Sequence, residues 1–326
     1  MIYLHDGHLR EIGTDWRKLV DVIETVIRIK EEGDCVHPLK PYLRFRDPIN
    51  RIIAMPAYVG GSVDMAGIKW IAGFPNNYIH GLPRAHNTII LNDSATGAPL
   101  AFFQSGLLNG LRTAAVSGVM TRAYMAARPE TGIRLGIIGW GPIGRLHLEM
   151  FSSLWREQLE QVILYDMKGV DRTAIPEGVR SITTVADDWR SVYRQSNVMA
   201  TCTVAAERYI DEAPAPGSLL LNVSLRDYKP ECAASLRAIV VDDWQEICRE
   251  NTDIEQMHLR CGLNESDVIT INDVVCRQAL EQYDREETVF FNPMGLSVFD
   301  IGVASYYMRE AERLGKGIRL ETSGQV

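Results

Sequence analysis

Apolar positions along the first third of the chain change period twice. Between residues 15 and 32, Leu19, Val22, Ile23, Val26, Ile27 and Ile29 fall at helical spacing with Asp and Glu turned outward. Residues 42–103 carry short strand-like runs instead. Arg51-Ile-Ile-Ala-Met, Ala66-Gly-Ile-Lys-Trp and Thr88-Ile-Ile-Leu are separated by Pro, Gly and Asn. Asn92-Asp93 and Thr96-Gly97 supply turn chemistry between two of them. From Gly106 to Ala127 the pattern is helical and rich in alanine, and Pro129 and Gly132 end it.

An α/β rhythm follows. Strands are predicted near 134–138, 162–165, 181–185, 198–203, 218–223 and 238–241, with helices near 143–155 and 188–195. Six short β-branched runs suit a doubly wound parallel sheet. Phe291-Asn292-Pro293-Met294-Gly295 reads as a compact turn. Residues 299–314 read as an amphipathic helix with Phe299, Val303, Tyr306 and Tyr307 on one side, and the last six residues, Glu321 to Val326, as a frayed polar end.

The first strand of that rhythm runs into Gly139-Trp-Gly141-Pro-Ile-Gly144, a G-x-G-x-x-G turn that opens a helix. The next strand ends at Asp166, about 22 residues later, which is the order of a dinucleotide-binding βαβ unit. Gly139 permits the tight turn, Gly141 lets backbone approach a pyrophosphate, and Gly144 lets helix and strand pack closely. Pro142 and Ile143 begin a helix whose unpaired N–H groups face the phosphates. Asp166 would accept from an unphosphorylated ribose and repel a 2′-phosphate, so NAD is expected over NADP. The fold class expected is therefore α/β: a doubly wound parallel-sheet Rossmann domain over 116–298, beside a β-rich α+β domain over 1–115. The helix from 299 to the end is expected to complete the latter, for substrate binding and dimerisation.

The chain has 326 residues, 46% of them apolar, enough to bury a large core in two domains. A net charge of −8 without a basic block argues against nucleic-acid partners. No signal-like start and no apolar run of about 20 residues is seen, so no membrane association and a cytoplasmic location are expected. Six scattered cysteines without a C-x-x-C pair read as reduced thiols. The seven histidines lack metal spacing, His80 and His86 included, so no metal is expected.

Four further places could carry chemistry. Lys69 sits inside an apolar strand, either in a site or reaching solvent from an edge. Leu111-Arg112-Thr113-Ala-Ala places an arginine and a hydroxyl at the start of a small-residue helix, where anions bind; a surface arginine is the alternative. Asn222-Val-Ser224-Leu-Arg-Asp227 follows the fifth strand, at the edge where such sheets hold ligands. Asp227 is then a general base or a helix cap. Pro293 and Met294 wall a nicotinamide pocket or merely turn the chain. Thr201, Thr203 and Ser224, at strand ends, complete the candidate coenzyme contacts with Thr113.

These placements together resemble the ornithine cyclodeaminase and mu-crystallin family over nearly the whole chain. Gly67-Ile-Lys69, Ile89-Ile-Leu-Asn-Asp93 with Thr96-Gly97-Ala-Pro99-Leu, Leu111-Arg112-Thr113-Ala-Ala, the glycine turn and the Asn222–Asp227 stretch carry the likeness. The resemblance implies that Lys69 and Arg112 hold a substrate carboxylate, with help from Arg44, and that Asp227 is the acid/base residue. It implies a homodimer. Within the family, Pro38-Leu-Lys-Pro-Tyr-Leu-Arg44, Arg51-Ile-Ile-Ala-Met-Pro56, Gly67-Ile-Lys-Trp70, Val240-Val-Asp-Asp-Trp244 and Asn292-Pro-Met-Gly295 look like a siderophore-pathway branch that cleaves N-(2-amino-2-carboxyethyl)-L-glutamate.

Arg84, where the cyclodeaminases tend to carry a small or hydroxyl residue, suits that reading. An added arginine favours a second carboxylate and repels ornithine's distal ammonium, an effect of about 1.5–3 kcal/mol. The bland alternative is a solvated loop cation, and His86 nearby is a weaker candidate. The expected reaction is NAD-dependent oxidation of the secondary amine to an imine. Water then releases 2-oxoglutarate and L-2,3-diaminopropionate. The rivals are ornithine cyclodeamination, alanine oxidation, ketimine reduction and a non-catalytic coenzyme-binding protein of crystallin type.

Overall fold

The structure, a computed structural model, describes residues 1–129 and 132–321. The frayed end expected at 321–326 thus lies outside the described residues from 322 on. The chain divides into two compact units, Met1–Arg112 with the segment from Leu296 onward, and Thr113–Gly295.

The first unit is built on an eight-stranded sheet. Its order is Ile318–Arg319, Ile2–His5, Pro99–Gln104, Ala85–Asp93, Met65–Gly73, Arg51–Val59 and Cys35–Val36, with Tyr42–Leu43 also pairing Arg51–Val59. Pairing is antiparallel except between Ile2–His5 and Pro99–Gln104. Met55, Lys69, Ile89 and Phe103 lie abreast across four strands and share one face. The helix Ser297–Leu314 covers that face, and the helix Trp16–Glu31 packs on the same helix. Sequence pattern makes this last helix amphipathic, but every residue from Ser297 to Ser305 is buried. Lying between sheet and helix, it has no wet face over those turns.

The second unit holds an eight-stranded parallel sheet. Its order is Thr183–Val185, Leu159–Tyr165, Ile133–Ile138, Val198–Thr201, Leu219–Asn222, Val289–Asn292, Ala238–Val241 and Ile269–Thr270. Two of these strands exceed the six expected. Val289–Asn292 is fully buried between two neighbours, so Phe291 and Asn292 belong to a strand and the turn starts at Pro293. Ile269–Thr270 is a two-residue edge, too short to leave a periodic trace. No helix among the described residues is long and apolar enough to cross a membrane.

The helix Gly106–Ala127 starts six residues before Arg112. Arg112 and Thr113 therefore stand in its second turn, and the dipole argument for anion binding there fails, because that effect is confined to the first turn.

Candidate active site

The predicted site residues fall in two sets, one in each unit. In the second unit, the strand Ile133–Ile138 ends at Gly139, whose φ of 100° is open to glycine and strained for other residues. A Cβ on Gly144 would lie 2.0 Å from the Gly139 carbonyl oxygen, so only glycine lets the helix Pro142–Leu154 start this close. Around Gly141 the reverse holds: a Cβ would meet nothing within 4 Å. No side chain caps this helix, and Pro142 at its first turn has no N–H to lose. Backbone donors at Gly141, Ile143 and Gly144 thus remain in the form that receives a diphosphate. Asp166, just past Leu159–Tyr165, accepts from the N–H of Trp140 at 2.7 Å and from that of Lys168 at 2.8 Å. Its carboxylate ties the glycine turn to the second strand's end, where the ribose of a dinucleotide would lie.

Asp227 is fully buried in the loop after Leu219–Asn222. The Thr203 hydroxyl donates to its Oδ1 at 2.6 Å, and the Ser224 hydroxyl donates to Oδ2. Burial raises the carboxyl above its ordinary range and outweighs these two bonds, which act the other way. A second buried carboxylate, Asp253, accepts from the N–H groups of Asp227 and Tyr228, each at 3.1 Å, and from Asn222 Nδ2 at 2.9 Å. Arg208 neutralises it at 2.6 Å. The Thr201 hydroxyl is buried against Asn222 Oδ1 at 3.2 Å, so it braces this loop from inside.

Asn222 also donates to Asn292 at 2.7 Å, linking the loop to the turn that carries Pro293 and Met294. That turn is fixed by buried Asp242, which accepts from the N–H groups of Met294 at 3.0 Å and Gly295 at 2.6 Å. Thr113 is half-buried on the helix Gly106–Ala127.

In the first unit, Lys69 is not an edge lysine. It lies on an interior strand, 1% exposed, and donates to Asn109 Oδ1 at 2.6 Å and Asp300 Oδ1 at 3.0 Å. Arg112 is 7% exposed and its Nε donates to the same Asp300 oxygen at 2.9 Å. Burial brings the Lys69 ammonium down to about 8 against the pull of Asp300, with Arg112 and buried Lys40 adding repulsion. Burial works against the Asp300 carboxylate too, yet Arg112 and Lys69 hold it below its ordinary range. Lys69 and Arg112 thus share one oxygen of a single carboxylate, a setting that suits a ligand carboxylate.

The structure places the other predicted cations elsewhere. Arg44 is exposed, donates to the Pro48 carbonyl at 3.1 Å and lies 5.4 Å from the Tyr42 ring centre. Arg84 is exposed just before Ala85, as is His86 just after it.

Asp300, Asn109 and Asp253 went unread in sequence, and Lys40 and Asp242 entered only inside stretches that carry the family likeness. Asp300 sits among Phe299, Ile301 and Val303, where one acid reads as a break in a core stripe. The signal available was that a buried lysine and arginine need a carboxylate partner.

The Ornithine cyclodeaminase/mu-crystallin family model matches residues 10–314. N-((2S)-2-amino-2-carboxyethyl)-L-glutamate dehydrogenase of Staphylococcus aureus is 31% identical, covering 98% of this chain and 98% of its own. Delta(1)-pyrroline-2-carboxylate reductase of Bacillus cereus is 25% identical over 95% of this chain and 98% of its own. The solved structure of the Thermococcus litoralis Delta(1)-pyrroline-2-carboxylate reductase, in complex with NADH and L-proline, superposes with a TM-score of 0.87 at 22% identity, covering 98% of this chain and all of that one. By the extent of the family match and the length of the shared chain, this protein belongs to the ornithine cyclodeaminase/mu-crystallin family.

Proposed function

We propose that this chain is an NAD-dependent dehydrogenase that cleaves N-(2-amino-2-carboxyethyl)-L-glutamate to 2-oxoglutarate and L-2,3-diaminopropionate. The substrate rests on the likeness to the Staphylococcus aureus dehydrogenase. The observation that carries the chemistry is Asp227, a fully buried carboxylate whose proton affinity burial raises toward the working range of a general base.

The residues present fit the coenzyme. Gly139, Gly141, Pro142, Ile143 and Gly144 would hold its pyrophosphate, with Thr113 assisting. Asp166 would hold its adenosine ribose, and Thr203, Ser224, Pro293 and Met294 would border its nicotinamide end. When bound, NAD+ supplies the acceptor for hydride from the glutamate α-carbon. Lys69 and Arg112 grip the adjacent carboxylate and so fix which hydrogen is presented. Asp227 takes a proton from water as the oxygen adds to the imine carbon. It then gives that proton to the nitrogen, and takes the proton of the new hydroxyl as the carbonyl forms and the carbon–nitrogen bond breaks. Ser224 and Thr203 hold the Asp227 carboxylate in place throughout.

A homodimer forms part of the same reading. The sheet face opposite Lys69 carries Trp70 and Ile90 at 40% and 37% exposure, beside half-buried Ile68 and Phe102. A second copy is the occupant we assign to it.

Incubation with NAD+ and, separately, the aminocarboxyethyl-glutamate compound, ornithine, alanine and glutamate tests the proposal. Mass spectrometry should find 2-oxoglutarate and diaminopropionate with one NADH each from the first compound. Proline from ornithine without NADH accumulation would replace it with cyclodeamination.

A further inference from the structure

Arg51 has no role so far. It opens the strand Arg51–Val59 and pairs with Gly73, which in turn pairs with Ala85. By alternation it shares a face with Ile53 and Met55, and Met55 is the cross-strand partner of Lys69. Arg51 therefore lies on the Lys69 face, about 13 Å further along the strand at 3.3 Å per residue.

A second arginine stands beside it. Tyr42 pairs with Ile53 and Leu43 with Ile52, so Arg44 comes next, abreast of Arg51. The two guanidinium groups lie 5.4 and 5.7 Å from the centre of the one Tyr42 ring. The Tyr42 ring face attracts both guanidinium groups and holds them side by side. The third is Arg84, next to Ala85 at the end of the same row. The Arg51 charge acts on it, disfavouring its own positive charge. Three cations thus meet at one end of a sheet whose middle holds Lys69, with Arg112 bound to the same Asp300 oxygen from the helix Gly106–Ala127.

We infer that Arg51 is a specificity-determining residue, which joins Arg44 on the Tyr42 platform, with Arg84 beside them, to bind a second carboxylate of the substrate, remote from the one at Lys69 and Arg112. The inference rests on the polycarboxylate reading above and deepens it. The span suits the geometry: two cations on one sheet face, about 13 Å apart along the strand, leave room for a dicarboxylate whose ends are several carbons apart. A substrate with one carboxylate and a distal ammonium would meet repulsion there.

The test uses Arg51→Gln and Arg51→Lys in the full-length protein, with NAD affinity and the unfolding midpoint as controls. For Arg51→Gln the KM for the aminocarboxyethyl-glutamate compound should rise roughly 10- to 100-fold while kcat falls far less. Arg51→Lys should recover part of the loss. Glutarate binding, measured by calorimetry in the presence of NAD+, should weaken by a similar factor in Arg51→Gln. The two assays separate the two claims. If the wild type does not turn over the compound but Arg51→Gln still weakens glutarate binding, the subsite stands and the proposed reaction fails. An unchanged KM in an active Arg51→Gln, or glutarate binding that is absent or unaltered, overturns the role of Arg51. Should Arg51→Gln not fold, Tyr42→Leu, which removes the platform, is read by the same two assays.

Discussion

Lys69 Nζ and Asp300 Oδ1 stand 3.0 Å apart, both buried, though 231 positions separate them in sequence. The pair joins an interior strand to the last helix, and Arg112 shares the same oxygen. Each charge is tolerated in the core only because the others are there.

Removing the shared anion is therefore expected to cost more than removing any surface ion pair. Asp300→Asn leaves Lys69 and Arg112 facing each other without a counter-charge. Urea unfolding should show a loss of about 3–5 kcal/mol. A loss under about 1 kcal/mol, the size of an exposed pair, would mean that Asp300 is not the anchor of this cluster.

The same cluster sets a pH limit. Lys69 is held at about 8, below the ordinary lysine value, because burial penalises its charged form. In the free enzyme the ammonium, and with it the grip on a carboxylate, fades as pH rises through about 8. The kcat/KM profile should therefore fall on its basic side near that pH, and Lys69→Arg should move the fall upward. A flat profile from pH 7 to 10 would remove the charge of Lys69 from substrate binding.

The glycine turn separates folding from coenzyme binding. Gly144→Ala places a methyl 2.0 Å from the Gly139 carbonyl oxygen, so helix and strand must part and stability should drop by several kcal/mol. Gly141→Ala meets no protein atom within 4 Å. It should unfold at the wild-type midpoint yet bind NAD+ at least tenfold more weakly, read by fluorescence titration. Equal NAD affinity in Gly141→Ala would mean that the pyrophosphate lies elsewhere.

Much of this was legible in the chain, for physical reasons. The glycine turn is a local constraint, written in adjacent residues, and so are the period of Trp16–Glu31 and the alanine-rich Gly106–Ala127. Lys69 and Asp227 drew notice because polar groups stood in apolar or strand-end settings. What escaped was non-local or shorter than a period. Asp300 reads as a flaw in a core helix until Lys69 is brought against it. Val289–Asn292 looks like the lead into a proline turn until sheet neighbours close on both sides. Arg51 looks like the polar edge of a strand until pairing sets it abreast of Arg44.

Asp227→Asn tests the central claim most directly, because it removes the base while keeping the shape that Ser224 and Thr203 hold. With NAD+ and the aminocarboxyethyl-glutamate compound, the variant should bind the coenzyme with unchanged affinity while turnover falls by about 10²–10⁴-fold. Turnover within a few-fold of wild type, with the coenzyme bound, would contradict a reaction driven by that enclosed carboxylate.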